Sequence, residues 1–208
     1  MPDLYIITGS NGAGKSTLGA EYLPEHIKSN NIIFDGDLLY TKELSRIFPK
    51  IVPSAKYARK EALDYVVQQF EEQTKHALEN RLDYVYEGHF TNDETWETPK
   101  LFKESGYRIY LLFFGLENTE LSQFRVTERV TDGGHYVDPQ TLENNFFGNL
   151  EKLNDHFHFI DELTIVDTSD LKHTILLKLS NGQIEYSVEK DELPDWFTTY
   201  MPLIAALI

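Results

Sequence analysis

Leu4-Tyr5-Ile6-Ile7-Thr8-Gly9-Ser10-Asn11-Gly12-Ala13-Gly14-Lys15-Ser16-Thr17 decides the fold class. An apolar run passes without interruption into G-x-x-x-x-G-K-[ST], the order strand, glycine-rich turn, helix start. Glycines let a backbone wrap closely, so that successive amides and a helix N-terminus point at an anion. Gly9, Ser10, Asn11, Gly12, Ala13, Gly14, Lys15, Ser16 and Thr17 are therefore the candidate phosphate cradle. Within it, Lys15 is placed to reach β- and γ-phosphates, and the Ser16 hydroxyl to ligate Mg²⁺. The stretch implies a nucleoside triphosphate site of the P-loop type.

Outward from that stretch, short apolar runs alternate with longer amphipathic ones, the pattern of βα units around a parallel sheet. Strands are expected at 31–34, 84–86, 108–114 and 163–166. Helices are expected over 53–81, 98–105, 118–130 and 139–154, with Gly106 closing the second of them. The tail changes period: Thr174-Ile175-Leu176-Leu177-Lys178-Leu179 and Gln183-Ile184-Glu185-Tyr186-Ser187-Val188 flank Ser180-Asn181-Gly182. Asn-Gly between two β-type runs predicts a hairpin. The chain is thus expected to be an α/β protein, a three-layer P-loop NTPase or kinase fold. Its sheet should be mostly parallel, with an antiparallel carboxy-terminal hairpin and a last helical turn. Residues 1–170 are expected to form the core, with a lid at about 117–138. Residues 171–208 form an appendage of the same domain.

Charge limits the partners. Among 208 residues, 34 acidic side chains against 19 basic ones leave a net charge of −15. That balance argues against a nucleic-acid surface, which needs clustered lysine and arginine. Any phosphate handling must rest on cations gathered locally. The absence of cysteine removes disulfides and thiolate chemistry and suits a reducing cytoplasm. No targeting segment is visible, and the apolar tail at 201–208 is too short to span a membrane.

The P-loop alone does not fix the reaction. No N-K-x-D or D-x-x-G element marks a GTPase switch. Leu179-Ser180-Asn181-Gly182-Gln183 resembles an ABC-type signature, but it lies in the hairpin pattern and reads as a turn. Asp35-Gly36-Asp37 follows the second strand, where the sheet opens a ligand crevice. Gly36 would allow a sharp turn there. Asp37, deeper in the loop, is the candidate general base for a substrate hydroxyl, and Asp35 is the candidate for a metal-side or structural role. Glu87-Gly88-His89 ends the third strand, so Glu87 and His89 join the two aspartates as candidate substrate-side groups. Arg125 and Arg129, four apart on one helix face, are the candidate phosphate clamp. The break Thr131-Asp132-Gly133-Gly134-His135 beside them reads as a hinge. His156-Phe157-His158 has no third ligand and is expected to be structural, and Trp96 and Trp196 to be core.

Taken in order, GSNGAGKST, FDGD, YEGHF, a long apolar strand and RVTERVTDGGHYV resemble the zeta-toxin-like P-loop kinases. The resemblance runs from about Leu4 to Asp167. It implies transfer of a γ-phosphoryl group from ATP or GTP, with Mg²⁺, to a small-molecule hydroxyl, in zeta toxins that of UDP-N-acetylglucosamine. By the same resemblance Lys15, Asp37, Arg125 and Arg129 would be the catalytic set and Glu87 a substrate-side acid. Relatives often continue past Gly-Gly-His with an arginine-rich helix, whereas here Thr141-Leu142-Glu143-Asn144-Asn145-Phe146-Phe147-Gly148 lacks those cations. An antitoxin partner is left open. The competing readings are a nucleotide-binding protein without turnover and a kinase of nucleic-acid ends, which the acidity disfavours.

Overall fold

A computed structural model describes residues 1–30, 32–131 and 137–208. Among them, seven strands form one sheet in the order β2-β3-β1-β4-β5-β6-β7. The elements run β1 (Asp3–Gly9), α1 (Lys15–Leu18), α2 (Glu25–Asn30), β2 (Phe34–Asp35), α3 (Gly36–Ile47), α4 (Ala55–Asn80) and β3 (Tyr84–Glu87). Next come α5 (Glu97–Glu104), β4 (Arg108–Gly115), α6 (Thr119–Thr131), α7 (Pro139–His156) and β5 (Glu162–Asp167). The chain ends in β6 (Thr174–Ser180), β7 (Gln183–Ser187), α8 (Asp195–Tyr200) and α9 (Pro202–Ala205).

β1 lies at the centre of the five parallel strands, between β3 on one side and β4 on the other. All seven of its residues are buried, which is why it reads as an unbroken apolar run rather than an alternating one. β2 and β5 extend the parallel part, and the hairpin of β6 and β7 adds antiparallel strands beyond β5. The hairpin turn takes Asn181 and Gly182 at φ 49° and 75°, the left-handed pair that Asn-Gly supplies most readily. It is this turn that contains the ABC-like residues. Trp96 and Trp196 are buried with the strand residues in one core.

Several elements depart from the sequence expectation. The strand expected at 31–34 is only Phe34–Asp35, because its register with β3 is confined to Tyr86 and Glu87. Ile32 is fully in solvent, and Asn31 lies outside the described residues. Asp35-Gly36-Asp37 is no loop: the chain enters α3 at once, with Asp35 as its N-cap and Asp37 in its first turn. Asp35 Oδ1 accepts from the Leu38 amide at 2.9 Å, so the turn is made by a capping carboxylate, and Gly36 sits in ordinary helical backbone. The helix opened by the P-loop is a single turn, α1, continued by a 3₁₀ turn at Gly19–Tyr22. α2, α3 and α8 were not anticipated. The hinge read at 131–135 falls largely outside the described residues.

These elements put one crevice at the carboxyl ends of β1, β2 and β3, where the strand order reverses around β1. α3, α6 and α7 bring their residues to its walls.

Candidate functional site

The turn after β1 is shaped by backbone that few residues can adopt. Gly9 has φ +135°, and a Cβ there would stand 2.1 Å from the carbonyl oxygen of Phe114 on β4. Gly12 has φ +74°, with the Arg125 side chain and the Ser122 carbonyl about as close as a Cβ can come. Both positions need glycine. The loop folds over the Lys15 side chain, whose Nζ donates to the carbonyls of Gly9 and Ser10, each at 3.0 Å. Burial lowers the Lys15 pKa, and the carboxylates of Glu87 and Asp37 work against that shift.

Lys15, Ser16, Asp35, Asp37, Glu87, Arg125 and Arg129 line a single cavity of about 400 Å³ together with Asn11, Gly12, Gly14 and Thr17. The structure thus brings together most of the residues singled out from sequence. Ser16 Oγ donates to Glu87 at 2.9 Å and approaches Asp35 Oδ2 at 3.4 Å. Burial pushes the Glu87 carboxyl above the ordinary carboxylate range, Lys15 pulls it down, and Asp35 and Asp37 push it up further. A carboxylate, a lysine and a hydroxyl are thereby packed into one half-buried cluster, poised to exchange partners when a phosphate enters.

Ser16, Asp35 and Glu87 offer only hard oxygen donors, which suits Mg²⁺. Among the described residues no three acidic or histidine side chains form a ready metal cage.

Arg125 and Arg129 reach the cavity from α6, but Arg125 is committed elsewhere as well. Its Nη1 donates to the Thr168 carbonyl at 2.7 Å and its Nη2 to the Ser169 carbonyl at 2.8 Å. The expected phosphate fork is therefore also a brace between α6 and the segment after β5. Arg129 is exposed, and its charge acts on Lys15. His89 sits apart from Glu87, on the wall of a neighbouring cavity. Its Nδ1 receives Asn149 Nδ2 at 3.0 Å, and Asn11 Nδ2 lies 3.4 Å from its Nε2. Burial, helped by Lys15, holds the imidazole well below its usual pKa, so the ring is neutral. His156 is used structurally, with Nε2 3.1 Å from Asp93.

Four supporting residues escaped the sequence reading. Ser122 donates to the Asn11 carbonyl at 2.6 Å, and Thr168 Oγ1 lies 3.0 Å from the carbonyls of Ala13 and Gly115. Asn145 Nδ2 donates to Asn11 Oδ1 at 2.8 Å. Asn149 accepts from the Phe90 amide at 2.6 Å and the Thr8 hydroxyl at 3.2 Å. Together they grip the P-loop from α6, β5 and α7. One signal was readable: Asn149 is a polar residue set into the buried stripe of Leu142, Phe146, Leu150 and Leu153 on α7, and buried amides are bonded.

A P-loop kinase fold with a lysine, a hydroxyl and carboxylates around one crevice defines the class. The Zeta toxin family model matches residues 1–176, and the chain belongs to that family. Among solved structures, a chain of the AvrRxo1-ORF1:-ORF2 complex with ATP superposes with a TM-score of 0.70 at 15% identity, covering 97% of this chain. The present chain spans only 64% of that relative. A chain from the PezAT chromosomal toxin–antitoxin system of Streptococcus pneumoniae gives 0.57 at 20% identity, covering 83% of this chain and 72% of its own. A putative kinase from Chloroflexus aurantiacus gives 0.55 at 17%, with 81% and 86% covered. No curated protein matches the chain in sequence. Among the described residues no helix is long and apolar enough to cross a membrane.

Proposed function

We propose that this chain is a kinase that moves the γ-phosphoryl group of ATP or GTP to a hydroxyl of a small molecule. The observation that carries the reading is the convergence of Lys15, Ser16, Asp37 and Glu87 on one cavity beside the P-loop. In this reading the loop amides and Lys15 bind the β- and γ-phosphates, and Lys15 exchanges the Gly9 and Ser10 carbonyls for phosphate oxygens. Asp37 takes the proton of the acceptor hydroxyl as its oxygen bonds to the γ-phosphorus. The bond from that phosphorus to the β–γ bridging oxygen breaks, and the nucleoside diphosphate leaves. Arg125 and Arg129 balance charge on the transferring group. Ser16, Asp35 and Glu87 would hold Mg²⁺, which would supply charge neutralisation for the triphosphate. In the same reading residues 1–170 are the core and 171–208 its appendage, while the lid expected at about 117–138 includes residues 132–136, which lie outside the described ones. The solved AvrRxo1 complex with ATP supports ATP as donor, and the PezAT neighbour supports an antitoxin as the protein partner to test. Family membership makes UDP-N-acetylglucosamine the first acceptor to assay.

The test is γ-phosphoryl transfer across a panel of hydroxyl compounds. Lys15→Ala should lose both transfer and most triphosphate affinity, whereas Asp37→Asn should bind the triphosphate and fail to transfer. Normal transfer by Asp37→Asn would remove Asp37 as the base. The engagement of Arg125 with Thr168 and Ser169 favours one second reading, nucleotide binding without turnover. Under it the wild type binds ATP and phosphorylates nothing.

A further inference from the structure

Beside the phosphate-facing cavity lies a second of about 530 Å³, within the range of about 300–1,000 Å³ usual for small-molecule sites. Asn11 and Asp37 line both. We propose that this second cavity is the acceptor pocket and that it takes a polyhydroxylated molecule carrying no phosphate. The proposal rests on the kinase reading above and narrows its acceptor class.

Three observations carry it. First, the shared wall gives the reaction its direction. Because Asp37 lines both cavities, a hydroxyl bound in the second would have the candidate base between it and the phosphate-facing cavity.

Second, the charges of the pocket are wrong for a phosphate. Among the described residues Arg59 is the one permanent cation that lines it, and the same lining includes two carboxylates, Asp37 and Asp138. Asp138 is held ionised by the hydroxyl and amide of Thr141, which donate to it at 2.6 and 3.0 Å. Those bonds also mean that α7 fills its own N-terminus with a carboxylate, so the helix end is closed to a ligand anion. His89 contributes no positive charge, because its buried ring is neutral. From Val137 to Glu151 the sequence holds no lysine or arginine, so Val137, Asp138, Thr141 and Asn145 on the pocket wall have no permanent cation beside them in sequence. Phosphate recognition ordinarily takes arginine forks or lysine clusters.

Third, beside those charges the pocket wall carries a pre-set network of uncharged polar groups. Asn11 and Asn145 are joined to each other at 2.8 Å, and His89 is fixed by Asn149. Pre-set amide and imidazole groups match hydroxyls, and a site built for hydroxyl groups discriminates strongly because its own polar atoms must be paired.

The experiment uses the full chain with saturating ATP and Mg²⁺ and reads ADP formation for matched pairs. These are N-acetylglucosamine with UDP-N-acetylglucosamine, glucose with glucose 6-phosphate, and inositol with inositol phosphate. The expected result is a kcat/KM at least tenfold higher for the unphosphorylated member of a pair. A phosphorylated member used as well or better overturns the proposal and leaves the kinase reading standing. If no compound raises ADP formation above the acceptor-free rate, the kinase reading falls and takes the proposal with it. Thr141→Arg, at an exposed position on the pocket wall, adds the missing cation. It should raise the ratio of kcat/KM for the phosphorylated member to that for its partner about tenfold, the scale of one new charge-assisted contact. An unchanged preference in that variant would also overturn the proposal.

Discussion

Replacing Asn149 by alanine should be among the most damaging single changes outside the apolar core. The side chain is 1% exposed. Its oxygen accepts from the Phe90 amide at 2.6 Å and Thr8 Oγ1 at 3.2 Å, and its nitrogen faces His89 Nδ1 at 3.0 Å and the Asn145 carbonyl at 2.5 Å. The Thr8 hydroxyl can turn to another acceptor, but the Phe90 amide is fixed by the backbone and the His89 ring is enclosed. Each buried group left unpaired costs about 1–3 kcal/mol, so the two together cost about 3–4 kcal/mol. For a chain of this size about 2–4 °C of melting temperature follows each kcal/mol, which gives a fall of roughly 10 °C. Asn145→Ala is the control. It is partly exposed, its side chain makes one bond, to Asn11, and about 1 kcal/mol should be lost. Thermal and urea unfolding of the three proteins side by side provide the assay. A drop below about 3 °C for Asn149→Ala, or equal losses for the two variants, would refute the claim that Asn149 is the central tie between α7, β3 and the P-loop.

Gly12→Ala forces φ +74° on a residue with a Cβ facing Arg125 and the Ser122 carbonyl. Calorimetry should show triphosphate affinity falling about tenfold or more, alongside strain of about 1–2 kcal/mol. Arg125→Lys cannot reach the Thr168 and Ser169 carbonyls together. The urea midpoint should drop by the equivalent of about 1–2 kcal/mol, even where the KM for ATP moves little. Glu87 gives a pH signature. Because burial raises its folded-state pKa, the folded protein binds more protons between the unfolded value of about 4.3 and the raised one. The Glu87 contribution is therefore most favourable below that window and declines as pH rises through it, and Glu87→Gln should be flat there and more stable at neutral pH. The same variant should lose the acid limb of the kcat/KM profile, since Ser16 and Lys15 need the ionised carboxylate.

The chain sequence displayed the site more fully than it displayed the elements that carry it. Lys15 and Ser16 were legible because glycine spacing and a strand-to-helix transition are local properties. Glu87 and Asp37 were legible because they close apolar runs, even though Asp37 proved to stand on α3 rather than in a loop. That error has a definite source: an Asp that caps a helix and an Asp that ends a strand look alike until the amide of Leu38 is seen to close on Asp35. The braces were hidden for another reason. Thr168, Ser122 and Asn149 bond to P-loop residues more than 100 positions away, and no periodicity reports such a partner. Arg125 shows the converse, a residue type read as a ligand fork that spends hydrogen bonds on its own backbone.

The hairpin has a practical consequence for anyone who trims this chain. The family match stops at residue 176, inside β6. A truncation there would remove β7 and most of the pairing that β6 makes with β5. β5 would then become an edge, with buried Leu163, Ile165 and Val166 along it. Open apolar edges recruit strands from other molecules. β2, at the opposite end of the sheet, offers only two residues and invites little pairing. The last thirty-odd residues thus behave as a built-in guard against polymerisation, and a fragment cut to the family boundary should precipitate where the whole chain stays dispersed.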